Sequence, residues 1–187
     1  MEYAPELIVE TWLNTAKAFS LQALRGQVVL IEAFQMLCPG CVSHALPQAQ
    51  EVARTFASED LVVLGLHTVF EHHNAQGGAE VLKAFLHEYR LTFPVGIDTP
   101  SQEGATPKTM AAYQMQGTPT TILIDRNGRL RMKAFGRVRD LVLGAQIAAL
   151  LGEARLPLAT ESDTEATEHV ERSCDASGCP LPAEADT

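Results

Sequence analysis

Several absences narrow this 187-residue chain before any motif is read. No apolar run approaches the roughly 18–20 uninterrupted residues that a membrane-spanning helix needs. The opening Met1-Glu2-Tyr3-Ala4-Pro5-Glu6-Leu7-Ile8 has neither the basic nor the apolar stretch of a secretory leader, so neither a membrane span nor an uncleaved signal peptide is expected. Basic residues are few, 14 Lys and Arg against 23 Asp and Glu for a formal charge of −9. That removes the cationic footprint which nucleic acids and anionic lipid surfaces require. Cysteine is scarce as well: four residues are too few to staple a miniprotein. No internal repeat of roughly 20–50 residues is visible, which sets aside solenoids and propellers.

What is present fits one soluble domain with a real core, since 46% of the residues are apolar and 20% charged. The acidity is unevenly placed. Residues 1–151 carry 14 acids against 12 bases, whereas residues 152–187 carry 9 against 2 and are rich in Glu, Thr, Ala, Ser and Pro. Such a composition buries too little surface to offset its ordering entropy. A domain over residues 1–151 with an acidic, extended tail over 152–187 is therefore expected.

Within the domain, residues up to about Leu24 read as irregular. Gln27 to Phe34 is then a near-continuous apolar, β-branched run of the kind covered on both faces in a parallel sheet, interrupted by one charge, Glu32. After Cys38-Pro39-Gly40-Cys41, residues 42–56 show helical spacing with a kink expected at Pro47. Residues 60–67 predict a second buried strand and 80–89 an amphipathic helix. Short elements follow at 93–97 (strand) and 108–114 (helix). Residues 120–125 and 130–135 flank Asn127-Gly128, a strong hairpin signal, and residues 141–151 predict a closing helix. Strands alternating with helices and ending in a hairpin predict an α/β fold, with a mixed central β-sheet flanked by helices on both faces.

The four cysteines fall in two close pairs, Cys38/Cys41 and Cys174/Cys179. The thiolate is the reactive form of cysteine, and a helix N-terminus stabilises it through the dipole and free N–H groups. Cys38 takes that position. Cys41, one turn on, is placed to attack a mixed disulfide formed on Cys38, so the pair suits dithiol/disulfide exchange. The alternatives are two structural thiols or half of a zinc site. Glu32, an acid inside an apolar strand, is expected to face the interior behind the cysteines, where desolvation raises its pKa into the range useful for taking a proton from Cys41. The alternative is a carboxylate that escapes to solvent at the strand end.

An acid-bearing strand six residues before the first cysteine, a Cys-x-x-Cys opening a helix, a mid-helix proline and a later Gly117-Thr118-Pro119-Thr120 entering a hairpin occur here in one order. In that order they resemble the thioredoxin fold. The long connection between Cys41 and Pro119, with its extra strand and helix, resembles the TlpA-like, redoxin (AhpC/TSA-related) branch, over about residues 20–151. Met36-Leu37 stand where thioredoxins carry a tryptophan, and Pro47 lies one residue later than usual. The resemblance implies a thioredoxin-like fold and a cis Pro119 packed against the cysteines, the alternative being a trans proline at a strand start. It also implies a substrate surface built from Thr118, Pro39 and Gly40, whose backbone pairs with an extended substrate.

His67, His72 and His73 follow the second strand and, with Glu71, offer either a metal site or thiolate tuning; a solvated loop is the plainer reading. Cys174 and Cys179 are open to three readings: a second redox pair exchanging electrons with Cys38 and Cys41, a four-thiolate zinc site with them, or two free thiols. The function expected is a thiol:disulfide oxidoreductase with no cofactor, acting on protein or small-molecule disulfides with a thiol electron donor. A thiol peroxidase is the second enzymatic reading, although Gln35 stands where that family carries threonine. A zinc-stabilised or structural adaptor is the non-enzymatic one. The expected compartment is a reducing cytoplasm, or the periplasm if a leader precedes this sequence.

Overall fold

A computed structural model describes residues 2–153; the expectations placed on residues 154–187, including Cys174 and Cys179, lie outside the described residues. Six strands form one sheet: β1 (Val9–Leu13), β2 (Val28–Phe34), β3 (Leu61–His67), β4 (Val95–Asp98), β5 (Thr120–Ile124) and β6 (Leu130–Phe135). Their order is β1-β4-β3-β2-β5-β6. The pairs β2–β3 and β3–β4 are parallel, while β5 runs antiparallel to β2 and β6 antiparallel to β5. The sheet is therefore mixed, as the strand–helix alternation followed by a hairpin requires.

β2 lies at the centre and every one of its residues is buried. Alternation along it divides the core. Val28, Leu30 and Phe34 pack with Cys41, with Leu46, Ala49 and Val52 of α1 (Leu46–Thr55), with Leu82 and Leu86 of α3 (Ala79–Glu88), and with Leu143, Ile147 and Leu150 of α5 (Asp140–Gly152). Val29, Ile31 and Ala33 face the opposite layer, which holds Leu21, Leu24, Met110 and Tyr113 around α4 (Lys108–Ala112). A short helix, α2 (His73–Gln76), precedes α3. Among the described residues no helix is long and apolar enough to cross a membrane.

Two sequence expectations need correction. The segment before Leu24 is not wholly irregular, because β1 pairs antiparallel with β4. A register shift between Val9 and Thr11 breaks the alternation that would have revealed it. The Pro47 kink takes the form of a widened turn. Residues Cys41–Ala45 are π-helical, and the Leu46 N–H donates to the Cys41 carbonyl, five residues back. Pro47 lacks an N–H and its ring crowds the carbonyl of the preceding turn, so the wider turn just before it relieves the conflict.

Candidate active site

The cysteines sit where β2 hands over to the first helix. Pro39 and Gly40 are already helical, which leaves Cys38 at the helix start with proline in the first helical position, where its missing N–H costs nothing. The Cys38 N–H donates to the Gln35 carbonyl at 3.2 Å, and the Val42 N–H donates to the Cys38 carbonyl at 3.1 Å. The Cys41 N–H donates to the Cys38 sulfur at 3.3 Å. Both cysteines are free thiols; Cys38 is partly exposed and Cys41 is buried. Burial, and then the neighbouring Cys38 sulfur, push the Cys41 thiol up to about 12. One sulfur thus faces solvent and the other is held back behind it.

The loop entering β5 closes the site from the opposite side. The Thr118–Pro119 peptide is cis, and the Cys38 thiol donates to the Thr118 carbonyl at 3.5 Å. A Cβ on Gly40 would stand 3.4 Å from the Pro119 ring, at ordinary van der Waals contact, so the Cys-x-x-Cys turn lies alongside the proline. The Gly136 N–H donates to the Pro119 carbonyl at 2.8 Å, tying the end of β6 to the same loop. Leu37, beside Cys38, is 56% exposed, and Phe135, whose ring covers Gly117, is 57% exposed.

Behind the pair lies Glu32, which is 1% exposed. It falls on the face of β2 that carries Leu30 and Phe34, the face packed against Cys41. It pairs across the sheet with Thr121, whose hydroxyl donates to Oε2 at 2.9 Å, while Oε1 has no partner. Burial raises the carboxyl to about 8, and the Thr121 bond opposes that rise. Such a group changes protonation near neutral pH, which suits proton exchange with a thiol.

Sequence reasoning missed the groups that hold the turn before Cys38. Gln35 and Gln76 are buried, and Gln76 Nε2 donates to Gln35 Oε1 at 2.8 Å. Gln76 Oε1 accepts the Leu37 N–H at 3.2 Å, and Gln35 Nε2 donates to Glu71 at 3.3 Å. The crossover between β3 and α3 is thereby bonded to the residue next to Cys38. Gln35 stood out in the sequence for not being threonine; nothing there marked Gln76.

The histidine cluster does not form. His67 closes β3, buried and tilted against Phe34 with ring centroids 5.3 Å apart, and burial lowers it to about 4. His72 and His73 are exposed, and no group of three or more His, Cys, Asp or Glu among the described residues is arranged to hold a metal ion. The reading of His67, His72, His73 and Glu71 as a metal site is therefore withdrawn.

Comparison with known proteins bears on the family and the fold. The model of the AhpC/TSA family matches residues 2–133. Protein DipZ of Mycobacterium tuberculosis is 29% identical over 161 residues, which is 81% of this chain but 21% of DipZ, so the chain spans about a fifth of that relative's length. A crystallised thioredoxin-like superfamily protein is 58% identical with a TM-score of 0.81, over 83% of this chain and 100% of the other. A thiol-disulfide isomerase from Corynebacterium glutamicum is 46% identical with a TM-score of 0.77, over 81% and 98% of the two chains. The chain belongs to the AhpC/TSA family and has a thioredoxin-like fold.

Proposed function

We propose that the protein is a thiol:disulfide oxidoreductase in which Cys38 is the attacking sulfur, Cys41 the resolving one and Glu32 the proton acceptor behind them. The observation that carries this reading is the asymmetry of the pair: Cys38 is partly exposed and receives the Cys41 N–H, while Cys41 is buried with its thiol pushed up to about 12. In the reducing direction the Cys38 thiolate attacks one sulfur of a substrate disulfide. The substrate S–S bond breaks, a Cys38–substrate disulfide forms, and the departing thiolate takes a proton from water. Cys41 then loses its proton to the Glu32 carboxylate and attacks the Cys38 sulfur. The mixed disulfide breaks, the second substrate thiol leaves, and the Cys38–Cys41 disulfide remains. Two electrons have passed from the dithiol to the substrate, and a thiol donor reverses the sequence to reset the pair.

Thr118 and Pro119, with Pro39 and Gly40 opposite, form the surface that receives the substrate. The exposed Leu37 and Phe135 side chains flank it and favour protein or other partly apolar disulfides over small charged ones. The test is Cys41→Ser with a model peptide disulfide. A stable Cys38–peptide disulfide that persists without resolving is the expected product. A resolving reaction as fast as that of the native chain would overturn the assignment of Cys41.

A further inference from the structure

The chain carries its own candidate substrate. Five acids lie in residues 161–171, directly before Cys174 and Cys179, and residues 152–187 hold 9 acids against 2 bases. The described domain offers a complementary strip, since residues 126–139 contain six Lys and Arg and no Asp or Glu. Arg126 and Arg131 are engaged at the end of α5: Arg126 donates to the Leu150, Leu151 and Glu153 carbonyls, and Arg131 binds Glu153. Arg137 and Arg139 are exposed. Their position is fixed relative to the cysteines by two bonds. The Gly136 N–H holds the Pro119 carbonyl, and the neighbouring Thr118 carbonyl accepts the Cys38 thiol. Arg137 therefore follows directly on the residue that ties β6 to the loop touching Cys38. Of the carboxylates nearby, Asp140 accepts from Gln48 at 2.6 Å, and Glu51 lines the groove between α1 and α5.

We propose that the acidic segment 161–171 docks on the Arg137–Arg139 rim and presents Cys174 and Cys179 to Cys38 as an in-chain redox partner. The proposal rests on the exchange chemistry above. Reach is sufficient: α5, 13 residues long, spans about 20 Å at about 1.5 Å per residue. The 21 residues from Glu153 to Cys174 extend to at most about 70 Å. The Cys38 thiolate attacks one sulfur of a Cys174–Cys179 disulfide, that bond breaks, and the released tail thiolate takes a proton. Cys41, deprotonated by Glu32, then attacks Cys38, leaving a Cys38–Cys41 disulfide and a tail dithiol. The core is oxidised and the tail reduced by two electrons, with no external reagent consumed in the step. The tail would then carry electrons from the Cys38–Cys41 pair to disulfides that do not fit the Thr118–Pro119 surface.

The experiment uses the full chain bearing Cys41→Ser and Cys174→Ser, so that Cys38 and Cys179 are left as single thiols. It is equilibrated with reduced and oxidised glutathione, and peptide mapping without reductant measures how much Cys38–Cys179 disulfide forms against glutathione adducts. That ratio is an effective concentration of the tail at Cys38. The expected result is a link within one chain, with an effective concentration that falls at least about fivefold in Arg137→Gln/Arg139→Gln and in about 0.5 M salt, where exposed charges are screened. Separate glutathione adducts on the two cysteines, a link between two chains, or a ratio unchanged by charge and salt would each overturn the docking. If Cys38 takes up no glutathione even in a chain ending at Glu153 and bearing Cys41→Ser, the failure belongs to the proposed function instead.

Discussion

Thr121 and Glu32 face each other across β2 and β5, and the threonine hydroxyl donates to one carboxylate oxygen at 2.9 Å while the other oxygen stays unpaired in the interior. A single neutral donor does not replace the water an ionised carboxylate loses. The result is a carboxyl raised to about 8 from an ordinary 4.5, with burial as the leading cause. Because the folded state holds this proton more tightly than the unfolded chain, its contribution is fully present below about pH 4.5. It is lost as pH climbs toward 8, and stability is level above that. The full swing is on the order of 5 kcal/mol at most. Glu32→Gln removes the titration, so its stability relative to the native chain should increase with pH across this window, read from urea midpoints at several pH values. The same variant should slow the resolving step without slowing formation of the mixed disulfide.

The two thiols should differ sharply toward alkylation. Cys38 is partly exposed, whereas Cys41 is buried and its thiol raised to about 12. Iodoacetamide at neutral pH should modify Cys38 at least tenfold faster than Cys41, followed by mass spectrometry of the reduced protein. Faster labelling of Cys41 would reverse the roles.

Gln76→Leu should be costly beyond its volume. It leaves the Leu37 N–H without its acceptor and removes one of the donors to Gln35 Oε1 inside the protein. Leu37 is itself largely exposed and Gln35 Oε1 keeps the Phe70 N–H, so the expected loss in denaturant unfolding is that of about one unpaired buried group, about 1–3 kcal/mol. The Cys38–Cys41 equilibrium with glutathione should shift as well, because the residue next to Cys38 loses its anchor. An unchanged equilibrium alongside lower stability would make the amide pair purely structural.

The end of α5 is held by bonds that reach past Leu151 to Glu153. Glu153 is bonded to Arg131 through both carboxylate oxygens, and Arg126 caps three carbonyls at the end of α5. A chain ending at Leu151 should unfold earlier than one ending at Glu153. Calorimetry of the two distinguishes them.

Much of this was legible in the sequence, for reasons specific to each element. β2 was visible because both its faces are covered, which leaves an unbroken apolar run in which Glu32 is conspicuous. The Cys38–Cys41 turn and the Thr118–Pro119 loop are short local patterns that survive any tertiary context. β1 was hidden, because a bulge shifts its register against β4 and only part of it is shielded. His67 was grouped with the loop histidines, although the β3 ladder continues through it to pair with Phe34. Gln76 was invisible for a deeper reason: a glutamine in a polar loop becomes buried only when the crossover folds back onto the turn before Cys38, and no local pattern encodes that contact.

The central claim is that Cys38 and Cys41 form one two-electron couple, and its most direct test is a redox titration of the chain ending at Glu153. The protein is equilibrated across a series of glutathione buffers, quenched with acid and mapped for disulfides. The account predicts a single two-electron transition between a free dithiol and a Cys38–Cys41 disulfide, with glutathione adducts on Cys38 only as a minor species. A chain that stays reduced in every buffer, or that accumulates glutathione on Cys38 without closing the bond to Cys41, would contradict it.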